Sequence, residues 1–329
     1  MPQNYYLLKS GKLRRKGNTL YLKTNKEVKA IPINNIYALF CFGEVDINTK
    51  LLIFLAQNKI PVHFFNFYGF YVGSFYPREY LNSGFLLVKQ AEHYLTKHKR
   101  IHLAKEILRG AIFTILKNLS LYKKKSEEIV KHIEEIDRYQ AQLENANKID
   151  ELLGIEGMCR NLYYKCFSFI LKNDFEFDKR SKRPPKNKLN ALISFGNSLI
   201  YALCVSEIYN TQLNPTISYL HEPSERRFSL ALDLAEIFKP LIADRIIFKL
   251  VNNQMLKDFH FDSKLNFCYL TNHGKRIFLE EFEKKLKTTV YYRSLRRRVS
   301  YQRLIRLECY KLIKHLIGEK TYKSLKPEW

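Results

Sequence analysis

The stretch HEPSERRFSLALDLAEIFKP, His221 to Pro240, sets two acids inside an apolar run. Asp233 and Glu236 stand among Leu230, Leu232, Leu234, Ala235, Ile237 and Phe238. The spacing predicts a helix, and on a helix positions i and i+3 share a face. Two like charges at that spacing cost a few tenths of a kcal/mol when solvated (about 0.2–0.5) and far more when desolvated. Something cationic must hold them. Arg226, Arg227 and Lys239 are the plain candidates, with exposure on a narrow polar stripe as another, and a bound ion is the alternative. His221 could reach the start of the same helix, while Glu222 and Glu225 lie in a polar stretch and read as solvated.

A third acid has the same character. In LLGIEGMCRNLYYKCF (Leu152–Phe167), Glu156 lies on the face carrying Leu152, Leu153, Cys159 and Tyr163. Gly154 and Gly157 strip side chains from its surroundings, so another backbone or a ligand can approach. The plain reading is an i,i+4 pair with Arg160. Taken together, Glu156, His221, Glu236 and Asp233 make an oxygen-rich set with one imidazole. Such a set suits Mn²⁺ or Mg²⁺ better than zinc.

The charge balance points to the partner. The chain has 56 Lys plus Arg against 32 Asp plus Glu, a formal net charge of +24. An excess of that size suits a polyanion, most often nucleic acid. A divalent ion on such a protein suggests phosphodiester chemistry, with a polarised phosphoryl oxygen and an activated water or 3′-hydroxyl. YYRSLRRRVSYQRLIRLECYKLIKH supplies Arg293, Arg296, Arg297, Arg298, Arg303, Arg306, Lys311 and Lys314, interleaved with Tyr. Cations bind phosphates and aromatics stack on unpaired bases, although a solvated face is the bland alternative. VKQAEHYLTKHKRIHLAK is a second basic helix, with Lys97, Lys99 and Arg100.

The periodicity divides the chain. Residues 1–82 read as a small β domain with one helix. NYYLLKSGKLRRKGNTLYLK alternates strand-like runs with turns at Gly11 and Gly17, and VKAIPI and IYALFCFG are further strands. NTKLLIFLAQNK reads as a helix capped by Asn48 or Thr49, and IPVHFFNFYGFYVGSFY as an aromatic hairpin turning near Gly69. Residues 83–329 carry a helical period and read as a larger all-α domain. GFLLVKQAEHYLTKHKRIHLAKEILRGAIFTILKNL reads as one long Pro-free helix, and Ser126 opens the next. NDFEFDKRSKRPPKNK is a charged loop. The fold class is therefore α+β and multidomain.

With 46% hydrophobic residues the chain is folded rather than disordered. The six cysteines form no C-x-x-C pair and read as reduced core residues. There is no run of about 18 apolar residues and no secretory leader in MPQNYYLLKSGKLRRKGN, so a cytoplasmic protein that does not engage membranes is expected.

The chain resembles the CRISPR-associated endonuclease/integrase family of spacer acquisition. The resemblance covers almost the whole sequence. It rests on GIEG with Glu156, RPPKNKLNALISFGNSLIYA from Arg183, LHEP with His221, and SLALDLAEIFKPLIADR with Asp233 and Glu236. NFYGFYVGSFYPRE and LECYKLIKHLIGEKTYKSL add to it. It implies an N-terminal β domain, which we expect to be the dimer interface, on an all-α catalytic domain. Mn²⁺ or Mg²⁺ would be held by Glu156, His221 and Glu236, with Asp233 in or beside the shell. The activity implied is insertion of short double-stranded DNA fragments into a CRISPR array by 3′-hydroxyl attack on the repeat. It is performed by homodimers assembled with a small ferredoxin-like partner. Arg183, Asn197 and Tyr201 sit in matching stretches, Arg183 grouped with the DNA contacts. Residue 236 is Glu where some members carry Asp, and either carboxylate ligates a divalent ion. The competing function class is a non-catalytic basic DNA-binding scaffold.

Overall fold

The computed structural model describes residues 2–78, 80–172, 175, 179–182, 184–223, 228–264 and 267–327. The chain opens with β1 (Gln3–Leu7), β2 (Gly11–Lys16), β3 (Thr19–Lys23), β4 (Val28–Pro32), β5 (Ile36–Cys41) and β6 (Val45–Ile47). Helix α1 (Thr49–Gln57) follows, then β7 (Val62–Phe65) and β8 (Tyr71–Phe75). One sheet has the order β1-β5-β7-β8 and the other β4-β3-β2-β6. Asn48 caps α1 by accepting from the Leu51 N–H at 3.0 Å. Gly17 and Gly69 make the expected turns, at φ +57° and +85°. Gly11 does not: it is the first residue of β2, where an added Cβ would stand 2.4 Å from the Lys23 carbonyl oxygen. There the glycine serves close strand approach rather than reversal.

Strand β5 explains how the two regions join. Leu39 and Cys41 point into the core between the sheets and α1, with Leu13, Leu20, Leu51 and Val62. Ala38 and Phe40 point the other way, and with Phe42 and Phe65 they belong to the same core as the helices. A period of two on a strand buried on both faces thus ties the sheet to the helical body.

The helical region runs α2 (Gly84–Leu95), α3 (Lys97–Ser120), α4 (Glu127–Gln142), α5 (Ile149–Lys165), α6 (Phe167–Ile170), α7 (Lys188–Tyr209), α8 (Ser229–Lys239) and α9 (Arg245–Asn252). Then come β9 (Phe261–Lys264), β10 (Phe267–Leu270), α10 (Asn272–Lys287), β11 (Thr289–Tyr292), β12 (Arg297–Ser300) and α11 (Tyr301–Leu316). Two expectations need correcting. The region is mostly helical rather than all-α, because β9–β10 and β11–β12 form two antiparallel hairpins. The single long helix breaks at Thr96, whose extended backbone (φ −84°, ψ 103°) ends α2 and starts α3. Its N–H bonds the Glu92 carbonyl and its carbonyl takes the Arg100 N–H, so no backbone group is wasted at the bend. Helix α7 is long and apolar enough to cross a membrane by length and composition, but it is mostly buried as a core helix. Between α8 and α9, Pro240 lacks the N–H that would bond the Glu236 carbonyl, and Pro240–Asp244 widen into a π turn.

Polar ties fasten the β region to the helices, two of them through buried charged side chains. The buried Glu207 of α7 accepts from Tyr37 Oη at 2.7 Å, Gln302 Nε2 at 2.8 Å and Arg306 Nε at 2.8 Å. Lys275 of α10, almost fully buried, donates to the Phe67 carbonyl at 2.5 Å and holds the tip of the β7–β8 hairpin. Burial pulls the Lys275 ammonium down to about 8.

Two outcomes follow. Glu207→Ala leaves the half-buried Arg306, with Tyr37 and Gln302, without their buried carboxylate and is expected to cost about 3 kcal/mol in denaturant unfolding. For Lys275 the folded pKa lies below the unfolded one, so the unfolded state holds more protons between them. Wild-type stability relative to Lys275→Met should therefore rise as pH goes from about 8 to 10. Paired urea melts at pH 7, 8, 9 and 10 measure it, and a flat difference would contradict the assignment.

Candidate active site

Asp233 is completely buried, and its carboxylate organises the loop before α8. Oδ2 accepts the backbone N–H groups of Tyr219 at 2.7 Å and Leu220 at 3.0 Å. Oδ1 accepts the His221 backbone N–H at 3.0 Å and stands 2.8 Å from His221 Nδ1. Four donors leave this carboxylate no lone pair directed at a ligand. Of the two places the sequence allowed Asp233, in or beside an ion's shell, this geometry favours the one beside it. Asp233 is a positioning residue, and it sets the imidazole with Nδ1–H toward itself and Nε2 free for the cavity that His221 lines.

Glu236, one turn further along α8, faces that same cavity, as does Glu156 of α5. Arg160 lies between the two carboxylates. Its Nε donates to Glu156 Oε1 at 3.1 Å and its Nη2 to Glu236 Oε2. Lys239 donates to Glu236 Oε1 at 2.6 Å. The buried Glu236 and half-buried Glu156 are thus balanced by Lys239, one of the plain candidates, and by Arg160, which the sequence paired only with Glu156. Arg226 and Arg227 lie outside the described residues. Burial works to raise the Glu156 carboxyl pKa, but the adjacent Arg160 guanidinium outweighs it and the net is below the usual range. Burial, and then the neighbouring Arg160 charge, bring the Lys239 ammonium down to about 8.

The cavity measures about 860 Å³. Beyond these groups it is lined by Arg180, Lys182, Ser194, Asn197, Ser198 and Tyr201. Arg180 is aimed by Asn190 Oδ1 and Ser194 Oγ, each at 2.9 Å. Burial lowers the pKa of both Arg180 and Lys182. Neither cation was singled out from the sequence, where they fall in the charged loop NDFEFDKRSKRPPKNK. The signal available was their position just upstream of the helix that carries Asn197 and Tyr201.

The cations expected to contact nucleic acid divide differently. Arg183 lies outside the described residues. Arg296, Arg297 and Arg298 are exposed on the β11–β12 hairpin, not on a helix face, with Arg298 also bonded to the Thr289 carbonyl at 2.7 Å. Arg303 is half-buried on α11, its guanidinium 5.8 Å from the Tyr310 ring centroid. Arg306 and Lys311 are corrected as free phosphate contacts. Arg306 is engaged by the buried Glu207, and Lys311 by Glu308 at 2.7 Å and the Lys323 carbonyl at 2.8 Å. A count of basic residues does not separate charges spent inside the fold from those left outside. None of these five described arginines, nor Lys311, lines the cavity.

This arrangement brings Glu156, His221 and Glu236 to one cavity from positions far apart in the chain. The family profile described as CRISPR associated protein Cas1 matches residues 5–284, which include all three. The chain belongs to that family. The CRISPR-associated endonuclease Cas1 3 of Thermodesulfovibrio yellowstonii is 52% identical over 99% of this chain and 100% of its own length. The solved structure of a CAS1 protein from Thermotoga maritima superposes with a TM-score of 0.90 at 45% identity, covering 98% of this chain and all of its own. A casposase bound to integration product shares the Cas1 fold at a TM-score of 0.86 and 21% identity, over 99% of this chain and 94% of its own.

Replacing Asp233 by Ala strips three backbone N–H groups and the imidazole of their acceptor at once. Removing such an acceptor costs about 1–3 kcal/mol for each buried group left unsatisfied. The variant is expected to lose at least about 3 kcal/mol in chemical denaturation, and Asp233→Asn, which keeps one acceptor oxygen, to lose less. A loss within error of zero for Asp233→Ala would contradict the geometry.

Proposed function

We propose that the chain is a metal-dependent DNA endonuclease and integrase that inserts short DNA fragments into a CRISPR array by 3′-hydroxyl attack on the repeat. The observation that carries this reading is the meeting of Glu156, Glu236 and an Asp233-oriented His221 in one cation-lined cavity. The donor set fits Mn²⁺ or Mg²⁺ in kind: two carboxylates and an imidazole whose other nitrogen is held by a buried carboxylate. Its placement is not yet closed around an ion. Among the described residues, no group of three or more His, Cys, Asp and Glu stands close enough to grip a metal.

Glu156, Glu236 and His221 Nε2 would hold the ion. When bound, it supplies Lewis-acid polarisation of a phosphoryl oxygen and makes an oxygen nucleophile easier to generate. The chain's own groups do the rest. Asp233 keeps the proton on His221 Nδ1 and fixes the ring. Lys239, Arg180 and Lys182 add positive charge to the same cavity, where a phosphodiester can be drawn in and its developing charge offset. Exposed Arg296, Arg297 and Arg298 are placed to bind phosphates further along the duplex.

In this reading residues 1–82 and 83–329 act as a β domain and a catalytic domain. The β domain forms the homodimer interface, and a small ferredoxin-like partner joins the assembly on double-stranded DNA. The reaction belongs in the cytoplasm, and six free, buried cysteines are consistent with a reducing compartment.

The test is strand transfer of a short duplex with free 3′-hydroxyls into a supercoiled plasmid, with and without the partner protein. Joined product is expected with Mn²⁺ or Mg²⁺, to vanish with EDTA, and to fall at least about 100-fold in Glu156→Ala, His221→Ala and Glu236→Ala. DNA binding should survive each substitution. Binding without cutting or joining under any metal, partner present, would leave the basic DNA-binding scaffold as the function.

A further inference from the structure

Two buried polar groups beside the cavity lack the hydrogen bonds their burial demands, and they are opposite in charge. Arg160 spends Nε on Glu156 and Nη2 on Glu236, but its Nη1 is buried with no acceptor. Asp244 ends the π turn and is almost completely buried; the Tyr163 hydroxyl is its hydrogen-bonding neighbour, at a geometry too poor to satisfy the carboxylate, and among the described residues neither oxygen is bonded to a cation. Orphaned groups of this kind are rare in folded proteins, and each one calls for a physical reason. The two are electrostatic neighbours: Asp244 favours the charged Arg160, and Arg160 favours the charged Asp244. Tyr163, Lys239 and Arg180 are the other groups facing Asp244.

The two carboxylates that Arg160 occupies are the two that a divalent ion would need. A guanidinium and a divalent ion cannot hold the same oxygens at once, because like charges at contact distance repel strongly in a desolvated site. Arg160 must therefore release Glu236 before an ion can be gripped. Where it goes is constrained, since a charged guanidinium inside the protein needs a new acceptor. Asp244 is placed to be that acceptor: it is an electrostatic neighbour of Arg160, and among the described residues no cation is bonded to its carboxylate.

We propose that Arg160 is a resident stand-in for the divalent ion and that Asp244 is the acceptor that receives it when the ion binds. The inference rests on the metal reading above, and it assigns both residues to positioning. Without the ion, Arg160 keeps Glu156 and Glu236 from facing each other as bare charges. With the ion, the Arg160–Asp244 pair removes a competitor from the site. The π turn matters because it is the segment that carries Asp244 to the neighbourhood of Arg160 and Tyr163 of α5.

Mn²⁺ affinity measured by isothermal titration calorimetry on the full chain tests this without reference to activity. Arg160→Gln removes the competitor and should tighten Mn²⁺ binding about tenfold, the size of one charge-assisted contact. A merely structural Arg160 would give the opposite sign. Asp244→Asn denies Arg160 its second position and should weaken Mn²⁺ binding about tenfold or more. In the double variant the Asp244→Asn effect should disappear, because no guanidinium remains to be relocated. Unchanged or weaker binding in Arg160→Gln overturns the proposal, as does an Asp244→Asn effect that persists in the double variant. If Asp244→Asn fails to fold by circular dichroism, the sign of the Arg160→Gln change decides alone. Glu156→Ala separates the two readings. Binding abolished by Glu156→Ala but indifferent to Arg160→Gln sinks only the stand-in. No Mn²⁺ binding to the wild type sinks the metal site and the stand-in together.

Discussion

The site depends on one carboxylate that faces inward. Asp233 gathers three consecutive backbone N–H groups and an imidazole, and so converts a polar loop into a rigid mount for His221. A charge buried to this depth is tolerable only when every lone pair is used. The geometry that satisfies Asp233 is also the geometry that orients the ring. The apolar run around it, from Leu230 to Phe238, excludes the water that would otherwise compete for those donors.

Around that mount the charges are arranged in layers. Glu156 and Glu236 lie at the cavity wall with Arg160 between them, Lys239 supports Glu236 from its own helix, and Asp244 lies behind. A buried cluster of this kind is weak evidence for stability, since hydrophobic replacements of equal volume do as well or better. Its presence makes sense as function. Glu207 shows the contrasting case: an equally buried acid, fully matched by Tyr37, Gln302 and Arg306, that lies outside the cavity and holds the sheet, α7 and α11 together.

Much of this was legible from residue patterns. The apolar periodicity of SLALDLAEIFKP located α8, the caps at Asn48 and Ser126 are made as expected, and Glu156 and His221 reach the same cavity as Glu236. What escaped the sequence had physical reasons. Asp233 turns inward because its partners are main-chain amides, which carry no side-chain signature. Thr96 breaks the helix with one extended residue whose N–H and carbonyl stay bonded, and neither Pro nor Gly marks the bend in the sequence. Arg306 and Lys311 look like any surface cations until Glu207 and Glu308, distant or buried, are seen to claim them. Arg180 and Lys182 enter the cavity from a loop, and loops give no periodicity from which to read a direction.

Helix α7 carries two sets of polar groups on one rod. Ser194, Asn197, Ser198 and Tyr201 face the cavity, while Ser206 and Glu207 hold His63 and Tyr37 of the β region. From Asn197 to Glu207 the rise is about 15 Å, and each residue advances the phase by about 100°. The helix is therefore a gauge block whose length and phase are fixed at both ends. One residue gained or lost between those sets would misalign catalytic wall and sheet by more than a quarter turn. Substitution can vary this segment, but insertion and deletion cannot, and sequence drift here is confined to changes that keep the count.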